Sequence, residues 1–377
     1  MKELYLEKRP FTELYIHVPF CAGKCDYCAF YSEGKWEGKD MQAYAELLLA
    51  HLERSAAFCA PLRTIYLGGG TPTLLPPAIL EKIFSSFSHA LPLAEDLEIS
   101  CECNPESLTD ETAALLGKYV HRVTMGVQSF SPANRKLIGR KGGENSLEKA
   151  FHLLQKYGIN NIGLDLIYAL PFQRLEEWKM DLEKALSFPV RHLSCYALSL
   201  EEGTPLFARS RKEGFPENGD LEAEMWEYTG NFLKEKGFPR YEISNYASPS
   251  FASNHNVHVW EGAPYLGVGP DACSFDGEKR FMEVQDLHKW LAGKAPERDE
   301  VPPLVRLAEI FIMGLRKCSG WQEEEWRKVT AFPWKELFPK AIEKGLSLEL
   351  LEEKEKALLP TEKGLAFWND LAELFPL

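Results

Sequence analysis

Short apolar stretches rich in β-branched and aromatic residues alternate with longer amphipathic ones through the first half of the chain. That alternation marks repeated βα units built around a parallel sheet. The apolar runs at 14–19, 64–68, 97–103, 122–129, 159–170 and 193–199 read as strands, and the stretches 41–58, 77–87, 110–119, 146–157 and 176–186 read as helices. Asp110 and Ser146 stand where N-caps belong, and Gly158 where a C-cap belongs. Six units are fewer than the eight of a closed barrel, which usually takes about 250 residues. The expected fold is therefore α/β, an open six-unit (β/α) partial TIM barrel. In the third strand, alternation sets Glu98, Ser100 and Glu102 on one face and Leu97, Ile99, Cys101 and Cys103 on the other. The apolar face packs on helices, so the carboxylates point inward. Burying them is costly unless they bind something, which makes the lumen a ligand chamber. By the same parity Cys101 and Cys103 read as packing thiols.

The periodicity fades over 214–300, where Gly, Pro, Asn and aromatic residues crowd into YEISNYA, SNHNVHVW and YLGVGPDACS. From about residue 301 the chain is charge-dense and helical again, with helices expected over 304–316 and 361–375. This divides the chain into a barrel (1–215), a connecting region carrying HNVHVW and GPDACS (216–300), and a small, mostly helical C-terminal domain (301–377). No repeat of solenoid period and no low-complexity segment interrupts it.

Composition narrows the classes. The 377 residues are 45% hydrophobic and 26% charged, ordinary for a globular protein, with a formal charge of −13 spread along the length. That charge argues against nucleic acid or an anionic membrane as a partner. No apolar run approaches the ~18 residues of a membrane span, and the N-terminus is too polar for a secretory signal. Nine cysteines without a pairing pattern are expected of a cytoplasmic chain, as metal ligands or core thiols.

The strongest local signal follows the first strand. HVPFCAGKCDYC places Cys21, Cys25 and Cys28 at C-x3-C-x2-C spacing, within eight residues. Pro19 and Gly23 favour a wrapped loop over a helix there. Zinc structural sites usually take four ligands, which here would need an outside donor such as His17. A cubane iron–sulfur cluster also ordinarily takes four cysteines, so three would leave one iron open for chemistry. Gly68, Gly69, Gly70 and Thr71 follow the second strand and match neither a dinucleotide fingerprint nor a Walker loop.

These motifs together carry a resemblance. The cysteine spacing after the first barrel strand resembles the radical S-adenosylmethionine (SAM) superfamily. LYIHVPFCAGKCDYC, LGGGTPT, CECNPES, MGVQSF and DLIYALPF, in that order, resemble its oxygen-independent coproporphyrinogen III oxidase branch. The resemblance implies a [4Fe–4S] cluster on Cys21, Cys25 and Cys28, with SAM at the free iron. Residue by residue, Tyr15, Gly69, Gly70, Thr71, Glu102, Gln128, Arg140, Asp165 and Ala197 match positions lining the SAM site, while Tyr27 and Phe30 stand beside the cysteines to pack on adenine and cluster. A flavodoxin- or ferredoxin-type electron donor is implied as well.

Within the branch, the oxidases resemble C-x3-C-x2-C-x-C and carry a longer N-terminal arm. Here Phe30 holds the fourth cysteine's place and only 20 residues precede Cys21. Both features resemble the shorter heme chaperone group, HemW, which implies a protein that binds heme or a porphyrin, with His255 as a contact, and passes it to an acceptor protein, with membrane contact only through that acceptor. HNVHVW matches the group's HN-x-x-Tyr-Trp stretch at His255, Asn256 and Trp260 but has Val259 for Tyr, and GPDAC places Cys273 where His is expected. His258 is the fallback heme ligand. Oxidative decarboxylation of coproporphyrinogen III, or another radical SAM methyl transfer or heme modification, is the alternative activity. LPTEKGLAFWNDL resembles the helical or winged-helix cap of the branch.

Overall fold

A computed structural model describes residues 6–216 and 218–376. The six expected strands form as β1 (Phe11–Val18), β2 (Cys59–Gly69), β3 (Leu93–Cys103), β4 (Arg122–Gln128), β5 (Ile162–Tyr168) and β6 (His192–Ala197), all mutually parallel and in sequence order. Alternation along each strand builds the two layers. Leu14, Ile16 and Val18 of β1, Ile65 and Leu67 of β2, and Ile99, Cys101 and Cys103 of β3 face outward into one continuous core under the helices. Burial pushes both thiols up, Cys101 far up and Cys103 to about 12, as befits packing groups. Glu13, Tyr15, Thr64, Tyr66, Glu102, Thr124 and Asp165 fall on the opposite, inward parity.

The helices Gly38–Ser55, Pro77–Ala90, Asp110–Tyr119, Glu144–Lys156 and Leu175–Leu186 match the five expected ones. Their caps differ by a residue or more. Thr109, not Asp110, is the N-cap of the third, its hydroxyl accepting from Thr112 N at 3.1 Å, and Gly143 rather than Ser146 is the N-cap of the fourth. Gly158 follows that helix at φ 84°.

The stretch 216–300, without periodicity in sequence, supplies strands too short to show any. β7 (Asn245–Ala247) adds antiparallel to β6 at one edge. At the other edge β8 (Tyr265–Val268) adds parallel to β1, followed by the antiparallel β9 (Cys273–Phe275), β10 (Arg280–Met282) and β11 (Glu297–Arg298). One eleven-stranded sheet results.

The C-terminal region has a second core centred on Phe311, whose ring lies 4.9 Å from Trp326, 5.2 Å from Phe338 and 5.5 Å from Phe375. Besides helices it carries a small antiparallel sheet of β12 (Trp321–Gln322), β13 (Leu351–Lys354) and β14 (Ala357–Pro360). The final expected helix breaks at Phe367 into Glu362–Ala366 and Trp368–Ala372. Arg316 and Lys317 tie this region to the stretch 216–300 through Glu242 at 3.1 Å and Glu261 at 2.7 Å. No helix among the described residues is long and apolar enough to cross a membrane.

Candidate functional site

A cavity of about 230 Å³ opens at the C-terminal rim of the parallel strands, the end where barrels of this kind carry their sites. Its wall brings together Cys21, Cys25 and Cys28 with Tyr15, Tyr27, Phe30, Gly69, Gly70, Thr71, Glu102, Gln128, Arg140 and Asp165. Of the residues expected to hold the cluster or SAM only Ala197 lies outside the lining, and His255, His258 and Cys273, the residues considered for heme, lie outside it too. Ala197 packs against the core, and its neighbour Tyr196, of opposite parity, lines the cavity instead. His255 sits deeper: the residue is 6% exposed and its Nδ1 lies 2.7 Å from Thr64 Oγ1, midway along β2.

The cradle beyond β2 is shaped by two glycines. Gly69 sits at φ 103°, and a Cβ on it would fall 2.6 Å from the His17 ring. A Cβ on Gly70 would fall 2.5 Å from the Phe20 carbonyl oxygen. Glu102 lies against this cradle, its Oε2 accepting from Gly69 N at 3.1 Å and its Oε1 from the Tyr66 hydroxyl at 3.0 Å. Burial, then the charge of Asp165, pushes the Glu102 carboxyl up to about 7, and burial pushes Asp165 up to about 6. Two acidic groups raised toward neutrality in one cavity are characteristic of a functional site.

The cysteine loop closes the other side. Cys25 Sγ lies 3.8 Å from Arg140 Nη1, and Cys21 Sγ 3.9 Å from Thr71 Oγ1. Arg140 also donates to the Gly126 carbonyl, while its Nε is buried without a partner. Burial raises the Cys28 thiol. Three thiols beside a guanidinium fit an iron–sulfur cluster in donor type and charge. Among the described residues no three His, Cys, Asp or Glu side chains are grouped tightly enough to hold an ion as they stand; the sulfurs line one wall. His17, the outside donor considered for zinc, is committed elsewhere, with Nδ1 3.1 Å from the Tyr15 hydroxyl and Nε2 2.9 Å from the Tyr31 carbonyl.

The sequence reading missed Thr124, Gly126, Ile167 and Tyr196 in the lining and Tyr66 behind Glu102, and Cys103, read there as a packing thiol, also borders the cavity at the end of β3. Strand parity, followed along β2 and β4–β6 as well as β3, carries the signal for Tyr66, Thr124, Gly126, Ile167 and Tyr196. Cys273, on β9, is half-buried with its Sγ 3.7 Å from the Tyr265 hydroxyl, and His258 Nδ1 lies 3.1 Å from Glu13 Oε1.

Comparison with known proteins agrees with this architecture. The profile of the Radical SAM superfamily matches residues 15–185, and that of the HemN C-terminal domain matches 301–367. The heme chaperone HemW of Lactococcus lactis is 33% identical over 370 residues, covering 96% of this chain and 97% of its own. The heme chaperone HemW of Escherichia coli is 31% identical over 380 residues, covering 98% and 99%. Among solved structures, the coproporphyrinogen III oxidase HemN of Escherichia coli, a radical SAM enzyme, superposes with a TM-score of 0.83 over 97% of this chain and 90% of its own, at 20% identity. That likeness shows a shared fold. With such near-full-length identity to the HemW proteins, this chain belongs to the HemW family of the radical SAM superfamily.

Proposed function

We propose that this protein holds a [4Fe–4S] cluster and SAM in the barrel cavity, binds heme, and passes it to an acceptor protein in the cytoplasm. The observation carrying this reading is the convergence of Cys21, Cys25 and Cys28 with the glycine cradle, Glu102, Asp165 and Arg140 on one cavity, in a chain matched end to end by proteins named heme chaperones. The three cysteines would hold the cluster, whose uncommitted iron supplies a coordination position for the amino and carboxylate groups of SAM. Arg140 offers charge-assisted hydrogen bonds to a carboxylate, and Glu102 and Asp165 accept from amine or ribose hydroxyl donors. Gly69 and Gly70 leave room for close approach of the methionyl part. Tyr27 supplies an apolar wall. Phe30, 71% exposed, and Tyr196 form an aromatic lip at the mouth, a surface suited to a flat macrocycle. An electron donor of flavodoxin or ferredoxin type and the heme acceptor complete the proposed partners.

The test is anaerobic reconstitution with iron and sulfide, followed by heme titration read by absorption. Saturable, stoichiometric heme binding that Phe30→Ala or Cys273→Ala weakens is the expected result. Absence of saturable binding, or SAM consumption with CO2 release from coproporphyrinogen, overturns it.

A further inference from the structure

We infer that His255 is a positioning residue for the SAM cradle, acting from the barrel floor through Tyr66 on Glu102. The inference rests on the reading of the cavity as the SAM site. The helix Asn254–Trp260 closes the N-terminal end of the barrel. Asn254 donates to Glu98 from its backbone N and from Nδ2, both at 3.2 Å, and Glu261, just past the helix, pairs with Lys317. The helix is thereby pinned at both ends, and His255 projects from it up into the lumen.

The hydrogen bonds define the state of the ring. Glu13 Oε2 lies 2.5 Å from Thr64 Oγ1. Burial alone would raise Glu13, but contacts from His258, Thr64 and Arg63 outweigh it and hold the carboxyl below its ordinary value. An ionised carboxylate only accepts, so the Thr64 hydroxyl proton goes to Glu13 and its oxygen accepts from His255 Nδ1–H. Burial pushes His255 down to about 4, so the imidazole is neutral at physiological pH. Its ring leans on Tyr66, with centroids 5.3 Å apart at 34°, and on Tyr15, 6.5 Å apart at 34°. Tyr66 then donates to Glu102, which takes the Gly69 N–H. Tyr15 meets His17, whose other nitrogen meets the Tyr31 carbonyl beside the cysteine loop. One buried ring thus braces two tyrosines, one directed at the cradle and the other at the loop.

The experiment uses the full chain with its cluster reconstituted. SAM affinity is read from the change SAM makes in the electron paramagnetic resonance signal of the reduced cluster, with iron per chain and heme titration measured in parallel. Tyr66→Phe, which removes the hydrogen bond that holds Glu102 against the cradle, should weaken SAM about tenfold. His255→Ala, which loses the ring contacts, should weaken it roughly three- to tenfold. The double variant should be no worse than Tyr66→Phe alone, because the two act in series. Heme saturation and iron content should be unchanged. Thr64→Val, which keeps the shape and removes the acceptor, gives the same SAM result should His255→Ala not fold. Unchanged SAM affinity in both overturns the inference, as does loss of heme binding with SAM affinity intact, or loss of iron in both. A wild-type cluster that ignores SAM overturns the cofactor reading itself, and the inference with it.

Discussion

Replacing Gly70 by alanine adds one methyl group where the end of β2 meets the start of the cysteine loop. The new Cβ would stand 2.5 Å from the Phe20 carbonyl oxygen and 2.9 Å from the Val18 carbonyl oxygen. Both are backbone atoms, and Gly70 N already donates to Val18 O at 2.8 Å. No side chain can swing away to relieve the overlap, so one strand end must retreat by 0.5 Å merely to bring the closest contact from 2.5 to 3.0 Å. Overpacking of this kind costs about 1–3 kcal/mol, roughly a five- to hundredfold change in the folding equilibrium at about 1.4 kcal/mol per factor of ten. The displaced carbonyl immediately precedes Cys21, so the cluster loop should shift as well. Gly38→Ala is the matched control: Gly38 opens the helix Gly38–Ser55 and a Cβ there meets nothing within 4 Å. It should raise stability by up to about 1 kcal/mol through helix propensity and a less flexible unfolded chain. Urea midpoints of the two apo-proteins, followed by far-ultraviolet circular dichroism, should therefore move in opposite directions. Iron bound per chain after reconstitution should fall only in Gly70→Ala. A Gly70→Ala midpoint at or above wild type would refute the packing argument.

Cys28→Ser should abolish the visible cluster absorption after reconstitution; its survival at full intensity would sink the three-thiolate assignment. Glu102, raised to about 7 first by burial and then by Asp165, contributes stability that is fully present below its ordinary value of 4.5 and is lost as pH rises through about 7. Between pH 5 and 8 the urea midpoint of wild type should fall more steeply than that of Glu102→Gln, and parallel slopes would contradict the burial argument. Phe311→Ala removes the ring at the centre of the C-terminal core and should cost about 3–5 kcal/mol. A thermal scan showing no separate or earlier loss of signal would count against that core's dependence on Phe311.

The barrel was legible because its strands are long enough to display their period. Glu98, Ser100 and Glu102 alternate with Ile99, Cys101 and Cys103 in the sequence, and the sheet keeps that parity. The cysteine loop was legible because three thiols within eight residues form a local pattern. Caps and strand starts were less so, since Thr109 and Asp110 can each cap a helix, and only the backbone conformation of Thr109 selects it. The stretch 216–300 gave no period because β7, β9 and β10 have three residues each. Such segments take their pairing from β6 at one edge and from β1, through β8, at the other, and neither partner is adjacent in sequence.

By itself, therefore, the sequence determined the class of the fold, the parity that turns carboxylates into the lumen, and the cluster loop, because each depends on spacing within one segment. The tertiary structure alone decided that Tyr66 holds Glu102, that Tyr196 rather than Ala197 lines the cavity, and that His255 lies on the floor beside Thr64. His255 and Thr64 are 191 residues apart, and no local pattern encodes which buried donor meets which acceptor when a late helix closes the end of an early barrel.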